Sequence, residues 1–522
     1  MQKLSKESIY QILSSRFGGE FLSLKDLPHP STLKDMKKGV DRVVWAIKNN
    51  QKIALIGDYD VDGVTATTVV REFFRYINYR LEWLIPNRFK DGYGISKTVI
   101  DRVDAELIIT VDNGVAAIEP AKICKSRGID LIITDHHTCG EVLPDSYALI
   151  NQKQSDCTFE YKEICGAQIA WYFMGAIAKE LGVNFDKKEQ LSLVSLAIVA
   201  DIMPLTGINR AMLIAGLKLL NRSNRAFVKA LKTRMNFKEI TSETIAFYIA
   251  PLINSAGRLK DASIASDFLF TQDEQEALML LDELLELNKE RKEIERKISQ
   301  KAFKQVKEED NIAIVWGEEW NEGVVGIVAA RVAEHFKVPT IALSCKDGIC
   351  KGSGRAYGDC NLFELVSKAK EHYLKFGGHK SALGLSFKKE KLETIKNILN
   401  TEAQNCNKEY VDKSILGELP FSEIDFDLLD ILEQFEPYGE GNSRPKFITK
   451  QVKVVEVKEI GQTKEHKRYR LSHNDSILTA LEFKSKSDVA YNDFIDIVYT
   501  LNKNEYNNSV YINLFIESIY VN

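Results

Sequence analysis

Two hydrophobic patterns alternate over residues 35–205. Short, continuous apolar runs are typical of strands that are buried on both faces of a parallel sheet. Between these runs, apolar residues recur at spacings of three and four, which predicts helices over residues 64–78 and 117–127. Strands that alternate with helices predict an α/β domain with a parallel sheet. The apolar runs span residues 53–57, 105–111 and 129–134.

The pattern changes after residue 205. Residues 206–270 have helical periodicity and extend the first domain, which we place at residues 35–270 after an N-terminal helix and loop over residues 1–34. Residues 271–310 contain no Gly or Pro, are charged and leucine-rich, and predict one helix of about 60 Å. A coiled-coil dimer and a helix that bridges two domains both fit this stretch, and the charge favours the bridge.

Two further domains follow the long helix. Residues 311–400 show a strand, a helix and a strand in succession, which predicts a second, smaller α/β domain. From residue 410 to 522 the hydrophobic positions alternate, and a polar stretch separates segments 494–501 and 509–520 as in a hairpin. This part of the chain predicts an all-β barrel of the OB type.

Composition adds few constraints. The 522 residues carry a net charge of −4 and are 44% hydrophobic, which is ordinary for a globular protein and argues against a uniformly basic surface. No apolar run approaches the roughly 20 residues that span a bilayer, and the first residues do not form a signal peptide. The eight cysteines lack C-x-x-C spacing, so the sequence predicts neither a zinc knuckle nor a disulfide framework, in a reduced, cytoplasmic setting.

Groups that bind metal ions are concentrated where the apolar runs end. A lone acid after a strand is most often a turn residue or a helix cap. Here carboxylates recur at three strand ends, and carboxylates so close together repel one another unless a cation compensates them. Because parallel strands open their carboxyl ends into one crevice, the sequence predicts a divalent metal site there. The residues concerned are Asp58, Asp60, Asp62, Asp112, Asp135, His136 and His137.

These segments resemble the motifs of the DHH phosphoesterase superfamily and, within it, the RecJ family of exonucleases specific for single-stranded DNA. The similarity covers the chain from about residue 35 to the C-terminus, in the order that the family uses. It includes residues of the connecting and DHHA1 segments and of the start of the OB-fold domain. The matching segments are residues 57–63, Asp112, residues 135–137, 200–205, 254–259, 353–355, 376–379 and 439–442.

The resemblance implies hydrolysis of phosphodiester bonds with two Mn²⁺ ions, for which Mg²⁺ is a possible substitute. Asp112 would bridge the ions, and Asp62, Asp112, His136 and His137 would form the catalytic set. His137 would contact substrate or donate a proton, and Asp135 would orient an imidazole. Many relatives have a histidine ligand where this chain has Ile56, so either Asp58 replaces it or the first ion binds weakly. The implied ligands are Asp58 and Asp60 for one ion and Asp62, His136 and Asp201 for the other.

The same resemblance implies a set of DNA contacts. Arg258, which we place in a turn, would contact a backbone phosphate through its forked guanidinium group. Glycine-rich loops would let backbone N–H groups approach other phosphates. The implied contacts are Arg258, Ser353, Gly354, Arg355, Gly377, Gly378 and His379.

The C-terminal barrel is expected to bind single strands by stacking and charge. About two-thirds of its aromatic residues should fill the core, because a small barrel must fill its interior, and the others could stack on bases. Basic residues near residues 464–468 would pair with phosphates. The residues concerned are Tyr469, Phe483, Tyr491, Tyr499 and Tyr511, with Lys464, Lys467 and Arg468.

The expected function is a 5′→3′ exonuclease that hydrolyses single-stranded DNA to mononucleotides in recombination and repair. It would act as a monomer away from membranes, with a helicase and a single-strand-binding protein as candidate partners. One alternative is a DHH and DHHA1 phosphodiesterase for short oligonucleotides or cyclic dinucleotides, against which the long helix and the β domain argue. A non-enzymatic DNA-binding scaffold is another alternative, against which the retained metal ligands argue. Activity on RNA stays open.

Overall fold

A computed structural model describes residues 2–18, 21–406, 412–461, 463–485, 487–506 and 509–521. The elements up to residue 270 are α1 (Lys6–Ser15), α2 (Met36–Lys48), β1 (Ile53–Ile56), α3 (Val61–Tyr76), β2 (Leu81–Leu84), α4 (Lys97–Ile100), β3 (Leu107–Val111), α5 (Ile118–Ser126), β4 (Asp130–Thr134), β5 (Ala148–Ile150), α6 (Gly166–Leu181), α7 (Leu191–Ala200), α8 (Gly207–Arg222), α9 (Ala226–Met235), α10 (Ser242–Thr244), α11 (Ala250–Leu259) and α12 (Ser263–Phe270).

The first sheet is parallel throughout, as the apolar runs predict. Its strand order is β2-β1-β3-β4-β5. Alternate residues of β1 enter two different hydrophobic cores: Ile53 and Leu55 pack into one, and Ala54 and Ile56 into the other. Helices therefore cover both faces of the sheet, which explains why its strands lack polar alternation.

The middle of the chain contains one long helix and a second sheet. The elements are α13 (Glu274–Phe303), β6 (Ala313–Glu318), α14 (Val325–Phe336), β7 (Thr340–Lys346), β8 (Ile349–Arg355), α15 (Leu362–Ser367), β9 (Lys375–Gly378), β10 (Ala382–Lys388) and α16 (Leu392–Glu402). The sheet order is β6-β7-β8-β10-β9, and the β6–β7 pair is its parallel pair.

Helix α13 bridges the two α/β units, as its charge pattern predicts, and begins at a side-chain cap from Asp273. Leu281 and Leu284 in its first half are buried in the core of the first unit. Ile298 and Ala302 in its second half are buried against α14 and β6. Most of its apolar positions are thus covered from within the chain, with Met279 exposed, and the bridging interpretation is confirmed over the coiled-coil alternative.

The expectation of no disulfide framework is wrong, because four of the cysteines are paired in the structure. Disulfides join Cys345 to Cys350 and Cys360 to Cys406, with Cα–Cα distances of 4.0 and 5.2 Å. Cys345 and Cys350 lie directly opposite each other on β7 and β8. Cross-strand register creates this pair, so spacing along the sequence could not reveal it.

The C-terminal elements are β11 (Ile415–Glu418), α17 (Phe426–Gln434), β12 (Lys446–Ile460), β13 (His466–His473), β14 (Ser476–Glu482), β15 (Phe494–Tyr506) and β16 (Ser509–Val521). Strands β12-β13-β14-β16-β15 close into a barrel through the β12–β15 pairing, which confirms the predicted OB-type architecture. The expected division of the five aromatic residues is wrong. Tyr469 and Tyr499 are buried, but Phe483, Tyr491 and Tyr511 are each more than half exposed.

The N-terminal segment packs on the barrel. The Leu4 backbone N–H donates to the Glu418 carbonyl at 2.8 Å, and Ile9 and Leu13 of α1 are fully buried in the barrel core. The two ends of the chain thus share one hydrophobic core. Within the described ranges, none of the helices combines the length and apolar character needed to cross a bilayer.

Candidate metal centre and phosphate-binding cleft

The Asp58, Asp60 and Asp62 side chains lie where β1 turns into α3. Asp60 caps α3 by accepting the Gly63 N–H at 3.1 Å. The two carboxylate oxygens of Asp62 accept the N–H groups of Gly166 and Ala167 at 2.6 and 2.7 Å, at the N-terminus of α6. This helix end favours negative charge on Asp62. Sequence reasoning missed Gly166 and Ala167, because backbone donors leave no signature in residue types.

Asp112 follows β3 with a left-handed backbone, φ 60°. The next residue, Asn113, holds this turn: its side-chain amide donates to the carbonyls of Val111 and Ile56 at 2.9 and 3.2 Å. A Cβ atom on Gly166 would lie 2.7 Å from the Asp112 Cβ, so the approach of α6 requires glycine there. The turn therefore places Asp112 between the acids of β1 and the end of β4.

His136 joins the acids from the end of β4. Its Nε2 lies 3.2 Å from Asp112 Oδ1, 3.5 Å from Asp201 Oδ2 and 3.6 Å from Asp62 Oδ2. Asp201 forms the C-terminal cap position of α7. The structure thus brings together the six side chains that the sequence analysis selects as metal ligands.

Their ligand atoms form two groups, which a third group links. Those of Asp58, Asp60 and Asp112 lie within 4.8 Å of one another, and so do those of Asp62, His136 and Asp201. Asp112 and His136 also group together, with His137. The Asp112 carboxylate is therefore close to both sets of ligands, which is the position that a bridging ligand occupies.

The donors suit a divalent cation. One carboxylate oxygen each of Asp58, Asp112 and Asp201, and Nδ1 of His136, are buried without a hydrogen-bond partner among the described residues. Burial, followed by repulsion from neighbouring carboxylates, raises the pKa of Asp58 and Asp112 well above the usual range and that of Asp201 to about 8. Oxygen donors with one imidazole fit Mn²⁺ or Mg²⁺, whose charge would compensate these acids.

His137 is oriented by Asp135, which lies on the same turn after β4. The Asp135 Oδ1 is 2.7 Å from His137 Nδ1, and its Oδ2 accepts the Val115 N–H at 2.8 Å. Burial lowers the pKa of His137, but the hydrogen bond and charge of Asp135 outweigh burial and raise it to about 9. The imidazole that Asp135 orients is therefore His137, with Nε2 directed to the Tyr93 hydroxyl at 3.4 Å.

Arg258 faces the second α/β unit. It lies in the last turn of helix α11 and not in the turn that the sequence predicts, because the helix continues through Gly257. Its guanidinium donates to the Gly323 carbonyl at 2.8 Å. Burial, followed by the charges of Arg88, Arg291 and other groups, lowers its pKa to about 10. Such a buried, crowded guanidinium is suited to an anion.

The other predicted DNA contacts meet at one end of the second sheet. Gly354 pairs with Leu383, which pairs in turn with Gly378 on the other side of β10. Arg355 ends β8 beside α14, where a Cβ atom on Gly326 would lie 3.1 Å from its guanidinium. The sequence analysis places the glycines of this group in loops. In the structure, Ser353, Gly354, Gly377 and Gly378 instead lie near the ends of strands β8 and β9, because β10 pairs with both segments. His379 follows β9 and is exposed.

Arg88 is a cationic residue close to Asp58 that the sequence analysis missed. It lies in the loop after β2, and its guanidinium stacks on the Tyr59 ring at 4.1 Å from the ring centre. Its Nε is buried without a hydrogen-bond partner among the described residues. Its position after β2 could have predicted it, because β2 is another parallel strand whose carboxyl end opens toward the same edge of the sheet.

Family models match three parts of the chain. The DHH family, N-terminal domain, matches residues 52–198, the DHHA1 domain matches residues 303–405, and the RecJ OB domain matches residues 415–518. Together with the strand-end carboxylates, these matches define the chain as a DHH-type phosphoesterase.

Curated relatives identify the family within this class of phosphoesterases. Single-stranded-DNA-specific exonuclease RecJ of Haemophilus influenzae is 31% identical, over 95% of this chain and 92% of that protein. The protein of the same name from Bacillus subtilis is 34% identical over 94% of this chain, which spans only 64% of that relative. The crystal structure of RecJ with Mn²⁺ from Thermus thermophilus matches with a TM-score of 0.84 at 25% identity, over 99% of this chain and 76% of that one. The chain belongs to the RecJ family.

Proposed function

We propose that this chain is a metal-dependent 5′→3′ exonuclease that hydrolyses single-stranded DNA to mononucleotides, in recombination and repair. The observation that carries the proposal is the set of carboxylates and imidazole, with unpaired buried oxygens, close to the guanidinium groups of Arg88 and Arg258. The relatives named above are called single-stranded-DNA-specific exonucleases.

The ligand groups support two ions. Asp58 and Asp60 would hold one, Asp62, His136 and Asp201 the other, and Asp112 both. Bound divalent ions supply a nucleophile at neutral pH and compensate the charge on the phosphoryl oxygens.

The chain's own residues orient the substrate. Arg88, Arg258 and Arg355 place positive charge on the cleft wall, where they bind the backbone phosphates next to the scissile bond. His137 is held through Nδ1 by Asp135, and its Nε2, which faces the Tyr93 hydroxyl, would donate a proton to the leaving oxygen. Asp62 is kept in place by the two N–H groups of α6.

The experiment that tests the proposal uses oligonucleotides labelled at one end, with Mn²⁺ or with EDTA. Single strands with a blocked 3′ end should be degraded to mononucleotides in Mn²⁺, and strands with a bulky 5′ block should resist. Blunt duplexes of the same sequence and all reactions in EDTA should stay intact. Degradation that a 3′ block stops and a 5′ block permits would reverse the polarity, and equal degradation of duplex DNA would refute the strand preference.

The barrel supplies a second contact with the strand. Arg468 and Arg470 are exposed on β13, and Arg468 lies opposite Leu481, which pairs with Phe515. Phe483 is half exposed and packs edge-on against Phe515. Cations beside exposed aromatic rings favour phosphate pairing together with base stacking.

Replacing Arg468 and Arg470 by Gln should raise KM for long single strands and leave cleavage of very short oligonucleotides unchanged. The two lost contacts should lower the slope of log affinity against log salt by about 1.4, at about 0.7 per phosphate on single strands. Point substitutions are preferable to removal of the barrel, because removal would expose Ile9 and Leu13. Lys503→Gln, at a barrel cation paired with Glu433, is the control. An unchanged salt slope in the double variant would exclude this face.

The strand preference also defines the partner classes. A helicase that unwinds duplex DNA and a protein that keeps single strands unpaired would supply this substrate, and the chain would act on it as a monomer. The exposed aromatic rings of the barrel argue against the alternative, a phosphodiesterase for short oligonucleotides or cyclic dinucleotides, because such small substrates do not require an additional strand-binding domain.

A further inference from the structure

A cavity of about 280 Å³ is lined by Ile202, the residue that follows the candidate metal ligand Asp201. Val199 and Ile202, which flank Asp201 in sequence, line one side of it. The other sides come from the turn after α10 and from the segment that leads into the barrel, which is fixed by a hydrogen bond from the Leu205 N–H to the Glu440 carbonyl at 2.7 Å. The cavity is therefore enclosed by the sequence neighbours of Asp201 on one side and by the segment that precedes the barrel on another.

Both the backbone conformation and the solvent exposure of Ile202 are energetically unfavourable. Its backbone is left-handed, with φ 56°, which a β-branched residue rarely adopts. Its side chain is 66% exposed although it is apolar. Strained residues persist only where the surrounding structure holds them, and they are frequent at functional sites.

Phe247 is the second unusual residue of the cavity. It lies in a π-helical turn, Ile245–Ile249, and is 73% exposed. Single π-helical turns are rare and occur frequently at functional sites. An exposed aromatic ring on the wall of a cavity can act as a stacking surface for a base.

The charge of the cavity favours a base over a second phosphate. Arg444, a cation of the cavity wall, is paired with Glu243 at 2.8 Å and also stacks on Tyr438. Met203 and Leu205 add apolar surface. The wall also carries the acid Glu440, so its acids outnumber its one paired cation. Such a wall suits an uncharged, flat group, whereas phosphate would require an unpaired cation.

We propose that this cavity binds the nucleobase of the nucleotide on the barrel side of the scissile phosphate, with Phe247 stacking on the base and Ile202 contacting its edge. The proposal rests on the proposed exonuclease function and names a base subsite within it. Because every base has a π face, the subsite fixes the strand's position without selecting a sequence.

An abasic scan tests the subsite. Single strands with a 5′ phosphate carry one abasic nucleotide at successive positions, and KM and kcat are measured for the first cleavage in Mn²⁺. In the wild-type chain, the abasic nucleotide next to the scissile phosphate on the barrel side should raise KM roughly 5- to 100-fold, the range expected for one lost stacking contact. The value of kcat should change little.

Variants at Phe247 provide the second arm. Phe247→Ala should raise KM for intact strands by a similar factor and lose its sensitivity to the abasic nucleotide, whereas Phe247→Tyr should keep both properties. Trp45→Ala, at an exposed aromatic residue of α2 outside the cavity, is the matched control and should behave as wild type. A wild-type chain without an abasic penalty, or a Phe247→Ala variant that keeps the full penalty, would overturn the subsite. A wild-type chain that does not cleave intact single strands would instead refute the exonuclease function and the subsite with it.

Discussion

Asp112→Asn should lower Mn²⁺-dependent cleavage of single-stranded DNA by several orders of magnitude. Asp112 is the carboxylate close to both groups of ligand atoms, so its loss weakens both ion sites. Asparagine is the appropriate replacement because the Asp112 backbone is left-handed, and Asn tolerates this conformation better than Ala does. The measurement is turnover of an end-labelled single strand, with Asp156→Asn at an exposed acid as the control.

The same variant should be more stable than wild type when metal is absent. Burial and the neighbouring acids raise the pKa of Asp112 well above its unfolded value, so the folded state binds the proton more tightly. Stability without metal therefore falls as pH rises above the ordinary range of aspartate, and the Asn variant should lose part of this dependence. Thermal melts in EDTA from pH 4 to 8 would measure this pH dependence of stability.

For the activity prediction, an Asp112→Asn variant that keeps more than a tenth of wild-type turnover would refute the role of Asp112.

Arg258→Met should cost the enzyme its affinity for DNA without unfolding it. Losing a buried charged partner of a phosphate typically costs about 2–5 kcal/mol, which corresponds to a rise in KM of roughly 30-fold or more. Without DNA, the crowded guanidinium has its pKa lowered to about 10 by burial and then by neighbouring arginines, so it destabilises the folded state at neutral pH. That cost is fully present below pH 10 and decreases above it, because the unfolded chain then holds the proton more tightly.

The stability of Arg258→Met in the absence of DNA should therefore be equal to or above that of wild type, once the lost hydrogen bond to Gly323 is offset. Arg296→Met, at an exposed arginine of α13 that pairs with Glu293, is the matched control and should leave KM unchanged. KM and melting temperature together make the test. A destabilised variant with unchanged KM would mean that Arg258 has a structural role only.

The sequence predicts the architecture well because burial leaves a periodic signal. The apolar runs before Asp58, Asp112 and Asp135 predict parallel strands, and the structure confirms them. The helical position of Arg258 could not be predicted, because Gly257 reads as a turn residue. In the structure this glycine is needed because a Cβ would lie 2.3 Å from the Tyr59 carbonyl oxygen. Close approach and turn formation leave the same residue type in a sequence.

The candidate metal ligands could be predicted from the sequence, but the groups that hold them in place could not. Acids at strand ends are visible as residue types, whereas the N–H groups at the start of α6 that hold Asp62 are not. The disulfide between Cys345 and Cys350 could not be predicted either, because the pairing depends on strand register. The exposure of Phe247 and the strain at Ile202 also appear only once the chain is folded.

The most direct test of the account is the number of Mn²⁺ ions that each chain binds. Isothermal titration of the metal-free protein with MnCl₂, in parallel with Asp112→Asn, would measure it. The wild-type chain should bind two ions, because Asp112 belongs to one group of ligand atoms and lies 3.2 Å from His136 Nε2 of the other. The variant should bind fewer ions or bind both more weakly. Binding of no Mn²⁺ by the wild type, or two ions with unchanged affinity in Asp112→Asn, would contradict the proposed metal centre.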